Sequence, residues 1–240
     1  MAGLIPRRYH PHHYKTLMRE EDDIGRRYVL PDASKVWSVT TILEATKSEE
    51  SRRKLAAWAA REGEENAKRI KEEAAAVGTA VHRVAECLFA QEELPPPASW
   101  LEALGYEMGY RLVNRYFRHF TELWGSEVSL YQPGKYAGTT DIVGIYRGNP
   151  AIVDLKQSLR PKRYEWIEDY FHQLAAYALA HDFMHGTEIN HGYVLIACQT
   201  GEMQEFSTAG AEFDRYKADW MARVSRAVSP ASGAALLPSP

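Results

Sequence analysis

The segment YAGTTDIVGIYRGNPAIVDLKQS, residues 136–158, constrains the fold more than any other part of the chain. Two apolar runs of strand length flank the turn RGNP, so they form antiparallel neighbours. Each carries an acid among its apolar residues: Asp141 beside Ile142 and Val143, and Asp154 after Ala151, Ile152 and Val153. With a side-chain period of two, Asp154 and Lys156 share one side of their strand and Leu155 faces the other. Acids at core strands are costly unless neutralised. Lys156 alone can do this, as an inert ion pair. A divalent cation is the second solution: Asp141, Asp154 and the carbonyl of Leu155 offer oxygen ligands that suit Mg2+ or Mn2+, with Lys156 beside the site to orient or deprotonate water and offset phosphate charge.

The rest of the pattern surrounds these strands with helices. Short strands are expected at 26–30 and 36–40, then a charged helix from Ser48 to about Ala76, in which Gly63 disfavours a single straight helix, and a second from Gly78 to the prolines at 95–97. Leu101, Leu104, Met108, Leu112, Tyr116 and Phe120 predict a third helix over 99–124. Strands follow at 127–131, 136–146 and 151–155, a helix at 164–185, strands at 193–197 and 203–206, and a last helix over 211–228. This order predicts an α/β fold with a central mixed β-sheet flanked by helices and an N-terminal helical extension. Residues 1–25 read as a flexible arm containing His10, His12 and His13, residues 26–228 as one domain, and 229–240 as a disordered tail.

Composition excludes several classes. Gly 16, Pro 12 and Cys 2 in 240 residues argue against collagen-like and disulfide-scaffold chains, and a formal charge of -3 against a globally basic nucleic-acid coater. Cys87 and Cys198 lie in apolar surroundings without regular spacing and read as free thiols of a reducing, cytoplasmic compartment. No P-loop or dinucleotide fingerprint is present, no apolar stretch is long enough to span a membrane, and the basic start lacks the apolar region of a secretory signal.

Two helical positions add to the acids. His82 follows Gly78 by four residues and shares a helix face with Glu86; it either pairs with Glu86 or ligates a metal through one ring nitrogen. Gln173 and Tyr177, one helical turn apart among Leu174, Ala175, Ala178 and Leu179, either satisfy buried backbone groups or reach a phosphate or water in the site.

The ordered set G-x-x-x-H, G-x-x-D, an apolar strand ending in D-x-K, and Q-x-x-x-Y resembles the PD-(D/E)XK nuclease superfamily, most of all its RecB-like branch and the mitochondrial genome maintenance exonuclease group. The likeness runs from about Val36, in VWSVTTIL, to about Trp220. It implies a restriction-endonuclease-like core, a divalent metal (Mg2+ or Mn2+) on Asp141 and Asp154 with His82 as ligand or close companion, Lys156 as catalytic lysine, and Gln173 and Tyr177 supporting it. It also matches Glu127 to an acidic position. Two departures stand out: Asp154 where the family frequently has Glu, and Gln157 where threonine often follows the lysine. The resemblance implies an exonuclease on single-stranded or flap DNA, working beside replication or recombination proteins. A structure- or sequence-specific endonuclease, an inactive DNA-binding homologue and a small-molecule hydrolase are the alternatives.

Basic residues supply candidate DNA contacts. Arg160, Lys162, Arg163 and Tyr164 directly follow the D-x-K strand and either form a solvated loop or hold a nucleic-acid backbone. Arg61, Lys68 and Lys71, if on one helix, share a broad face and form either a solvated cover or the wall of a single-strand channel.

Overall fold

In the computed structural model the described residues are 7–8, 11–228, 236–238 and 240. A six-stranded sheet in the order β1-β5-β6-β7-β8-β9 forms the centre. Its strands are β1 (Arg7–Arg8), β5 (Phe120–Gln132), β6 (Tyr136–Tyr146), β7 (Asn149–Ser158), β8 (His191–Cys198) and β9 (Met203–Ala209). The sheet is mixed: β1 runs parallel to β5 and β7 parallel to β8, while the β5/β6, β6/β7 and β8/β9 pairs are antiparallel. The β7–β8 crossover is made by α5 (Glu168–His185). Strand β8 is buried along nearly its whole length, which is why HGYVLIAC reads as a continuous apolar run without alternation.

Helices cover both faces. One face buries α3 (Glu64–Ala90) and α4 (Trp100–Tyr116) through Val77, Val81, Val84, Met108 and Leu112 against Ile142, Val153 and Leu155. Their axes approach closely because α4 carries glycines one turn apart: a Cβ on Gly105 would meet Ala80 Cβ at 2.4 Å, and one on Gly109 would meet Val84 Cγ2 at 2.8 Å. The other face buries α1 (Val39–Ala45), α5 and α6 (Gly210–Val228), with Trp37, Phe171, Leu174, Phe213 and Trp220 around Val143, Ile152 and Val194. A separate antiparallel sheet of β2 (Met18–Glu21), β3 (Arg26–Val29) and β4 (Lys35–Trp37) lies over β6, sealed by Leu17, Tyr28, Leu30 and Val36 against Ala137. The architecture is the expected one: an α/β fold with a central mixed sheet between helices, the layout of a restriction-endonuclease-like core.

Several boundaries differ from expectation. The third helix stops at Tyr116, and after a short 3-10 turn the chain enters β5 at Phe120. Phe120 continues the helical spacing of Met108, Leu112 and Tyr116, so the period gave no warning of the change. Gly63, at φ 82° and ψ 149°, ends α2 (Glu49–Glu62) and starts α3, which then runs unbroken through Gly78. Only α2, with no buried residue, is a true extension; α3 and α4 are one layer of the sandwich. The N-terminal segment is not a loose arm where described: β2 pairs with β3, Tyr14 Oη sits 2.8 Å from His181 Nε2, and the His12 ring packs on Trp124 and His181. His10 lies outside the described residues, as do 229–235 and 239 of the expected tail, whereas Leu237 is buried and the Pro238 carbonyl accepts from Trp37 Nε1 at 3.0 Å.

Candidate metal centre

The site opens where the sheet comes apart. Strands β6 and β7 pair from Tyr146↔Asn149 to Ile142↔Val153, and there the ladder ends, one position short of Asp141 and Asp154. The Leu155 amide, released from the ladder, donates to Asp141 Oδ2 at 2.6 Å. On the other side of β6 the pairing with β5 skips from Ser126↔Ile142 to Val128↔Thr140, so Glu127 faces Asp141 without a ladder bond. Glu127 adopts φ 51°, a left-handed conformation that costs a non-glycine residue of order 1 kcal/mol or more.

Helix α3 delivers the third group. His82 Nδ1 lies 3.5 Å from Asp141 Oδ1 and 3.6 Å from Glu127 Oε1, while its Nε2 is 3.0 Å from the Leu155 carbonyl. In the neutral ring that carbonyl sets the tautomer: Nε2 carries the proton and Nδ1 faces the carboxylates. Burial disfavours a charged imidazole, but Asp141 and then Glu127 outweigh it and raise His82 to about 9. His82, Glu127 and Asp141 offer ligand atoms all within 4.8 Å of one another. Helix α3 is anchored here by Gln157, whose Nε2 donates to the Ala74 carbonyl at 2.9 Å.

Asp154 stands apart from this triad. It is 1% exposed, and Lys156 Nζ lies 2.6 Å from its Oδ2. Neither Asp154 oxygen accepts a hydrogen bond from the backbone or a neutral side chain among the described residues. Burial, opposed by Lys156 and reinforced by Asp141, raises the Asp154 carboxyl above the usual carboxylate range. Lys156 is raised too: burial works against its charge, but Asp154 and Asp141 hold it as an ammonium. Its Nζ also lies 5.2 Å from the ring centroid of Tyr170, a cation–π partner not identified from sequence.

Gln173 and Tyr177 reach the same cavity, of about 550 Å3, with Gln173 Nε2 donating to Tyr177 Oη at 3.3 Å. Tyr177 fits there because β6 has glycine opposite: a Cβ on Gly138 would come within 2.7 Å of its ring. Glu86 also lines the cavity, but its expected pairing with His82 is replaced by contacts of His82 to Leu155, Glu127 and Asp141. The structure thus brings together His82, Glu127, Asp141, Lys156, Gln173 and Tyr177, with Asp154 ion-paired beneath Lys156. The Leu155 carbonyl, expected on the metal, is the partner of His82.

The candidate DNA contacts lie outside this cavity. Arg160 and Arg163 are exposed on the loop after β7, Arg163 stacks over Trp166 with Cζ 5.3 Å from its centroid, and Tyr164 Oη donates to Glu212 at 2.8 Å. The Lys162 backbone is clamped by the Gln204 side chain. The expected shared face of Arg61, Lys68 and Lys71 does not exist as one helix surface, because the break at Gly63 puts Arg61 on α2 and the lysines on α3. Lys68 and Lys71 line the corner between the two helices.

The donor set suits a hard divalent cation. Two carboxylates and one imidazole nitrogen converge within 4.8 Å of one another, and the adjacent buried carboxylate Asp154 has oxygens that no neutral donor among the described residues engages. No family model matches the chain, and no curated protein matches it. Among solved structures it is similar to a Eubacterium rectale protein named "putative exonuclease", at 17% identity over 63% of each chain with a TM-score of 0.46. It therefore spans less than two thirds of that protein's length. It is also similar to SSO0001, at 15% identity over 78% of this chain and 75% of that one, with a TM-score of 0.37. Both likenesses are too distant to bear on function, which rests on the geometry of the site. Among the described residues no helix is long and apolar enough to cross a membrane.

Proposed function

We propose that this protein is a divalent-metal-dependent deoxyribonuclease, an exonuclease that hydrolyses phosphodiester bonds of single-stranded or flap DNA. The observation that carries the reading is the gap between β6 and β7, where a three-ligand cluster and a buried Asp154–Lys156 pair meet at one cavity. His82, Glu127 and Asp141 would hold Mg2+ or Mn2+, with Asp154 as a further ligand. Such an ion supplies Lewis-acid polarisation of the phosphoryl group and an activated water. Lys156, kept charged by two carboxylates, offsets the negative charge that builds on the phosphate and serves as a charge stabiliser, not as a base. Tyr177 and Gln173 present a hydroxyl and an amide to the same space and orient the phosphate. Arg160, Lys162, Arg163 and Tyr164 would track the DNA backbone as it leaves the site, and Lys68 and Lys71, with Arg61 on the neighbouring helix, would meet it at the α2–α3 corner. The activity would belong to one unit, residues 26–228, against which Tyr14 and the strand Met18–Glu21 pack.

The test is incubation with end-labelled linear and covalently closed circular single strands in Mg2+, Mn2+ or EDTA. Metal-dependent loss of linear strands alone is the expected result. Cleavage of circles would replace the exonuclease by an endonuclease, and no metal-dependent cleavage would sink the enzymatic reading.

A further inference from the structure

The cavity above the carboxylates has a second wall to which the metal centre assigns no role: the inner face of the small sheet. On β3, Arg26 and Tyr28 are two residues apart and point to the same side. Arg19 of β2 is the cross-strand partner of Tyr28, so all three belong to one patch. Tyr28 Oη lies 3.2 Å from Thr139 Oγ1, and Thr139 precedes Asp141 by two positions on β6 and shares its side. A continuous path therefore leads from Asp141 through Thr139 and Tyr28 to Arg19, with Arg26 beside it, and these five residues line one cavity.

The charges on that path are unequally spent. Lys156 is held by Asp154, and the His82 ring faces Glu127 and Asp141. Among the described residues the Arg26 guanidinium meets only Glu21, in a surface pair with side-chain exposures of 32% and 56%. The Arg19 guanidinium has no carboxylate or hydrogen-bond partner among the described residues, although it lines a cavity that also contains Glu86, Glu127 and Asp141. A polyanionic strand that enters a cavity lined by three carboxylates is repelled unless cations face it from the opposite wall.

We infer that Arg19 and Arg26 form a phosphate subsite, which takes one phosphate of the nucleic acid near the bond to be cut. The inference rests on the nuclease reading and adds the place where the substrate backbone is gripped. The guanidinium fork suits phosphate oxygens, and Arg19 gives up no internal bond to make the contact. The chemistry serves an internal phosphodiester or a terminal phosphate monoester alike.

The experiment uses the full chain with Arg19→Gln, Arg26→Gln and both together, plus Arg19→Lys. Affinity for a short fluorescent single-stranded DNA is measured in Ca2+ across a salt series. Three versions of the strand carry a 5′-phosphate, a 3′-phosphate or hydroxyls at both ends. The double variant is expected to bind roughly tenfold more weakly or worse, with the log–log salt slope reduced by roughly one to two. Arg19→Lys recovers part of the affinity, and Mn2+ titration is unchanged. A loss common to all three strands assigns an internal diester; a loss confined to one phosphorylated strand assigns that monoester. Affinity and slope unchanged in both Arg19→Gln and the double variant overturn the subsite, and wild-type cleavage then leaves the nuclease reading intact. Arginine-dependent binding without any metal-dependent cleavage does the reverse. Arg19→Gln breaks no side-chain hydrogen bond or ion pair among the described residues, so its result stands even if Arg26→Gln loosens the small sheet.

Discussion

Asp141 Oδ2 accepts the Leu155 amide proton at 2.6 Å at the point where β6 and β7 cease to pair. One carboxylate thus does two jobs: an oxygen closes the backbone account of the parted strands, and the other faces His82 Nδ1 at 3.5 Å. Asp141→Asn is expected to abolish Mn2+ binding, since the amide is a poor ligand beside Glu127. Asp141→Ala should in addition lower stability by about 1–3 kcal/mol, because the buried amide of Leu155 is left without an acceptor. Calorimetric titration of Mn2+ and urea unfolding of both variants check this; equal stability of Asn and Ala variants would remove the structural half of the role.

The Asp154–Lys156 pair predicts a compensation. Lys156→Ala leaves a carboxylate that is 1% exposed without its cation, at a cost of about 3–5 kcal/mol. Adding Asp154→Asn should restore most of that stability, because no buried charge remains to be neutralised. Single-turnover DNA cleavage should fall by ~100-fold or more in the single variant and stay low in the double. Unfolding midpoints and cleavage rates measured on the same preparations separate the two effects; recovery of cleavage with stability would show that Lys156 only supports the fold.

The His82 geometry predicts proton release on metal binding. Without metal the ring is charged at neutral pH, since Asp141 and Glu127 overcome burial and raise it to about 9. A ligand nitrogen must be neutral, so each bound ion displaces about one proton, and affinity should rise roughly tenfold per pH unit up to about pH 9 and then level off. Titrations of Mn2+ in buffers of different ionisation enthalpy report the proton count directly. His82→Gln should bring that count near zero, and a count near zero in the wild type would exclude Nδ1 as a ligand.

Much of this centre is legible in the sequence for a physical reason: Asp154, Leu155 and Lys156 close an apolar strand joined by a tight turn to the strand of Asp141, and burying acids there demands a partner. The parting of the two strands is not legible, because nothing in TDIV or VDLK announces where a ladder ends. The backbone that positions Glu127 is hidden more deeply. Its left-handed conformation follows irregular pairing at Phe120/Glu122 and Leu123/Gly125, and residues 120–124 carry a helical spacing inherited from α4. Arg19 is missed because MREE and RRYV are too short and charged to read as a packed sheet; only Leu17 and Tyr28 betray the buried side. Conversely, Gly63 did mark the break that separates Arg61 from Lys68 and Lys71.

The last prediction concerns acid stability and lies far from the metal centre. His181 is fully buried between Tyr14 Oη and Thr187 Oγ1, each at 2.8 Å from a ring nitrogen, with the rings of His12, His185 and Trp124 around it. Burial, reinforced by His185 and His12, lowers its pKa to about 3. Above pH 6.5 the ring is neutral in folded and unfolded chains, so it contributes no pH dependence there. Below that value the unfolded chain takes up a proton that the folded one refuses, and stability falls steadily until the pH approaches 3. By pH 5 this one residue accounts for up to about 2 kcal/mol. His181→Gln should be less stable at pH 7, where it loses a shaped hydrogen-bond pair, yet show a flatter dependence of urea midpoint between pH 7 and 4. Parallel slopes for the two proteins would place the acid sensitivity elsewhere, in His172 or His185, whose rings burial also holds down.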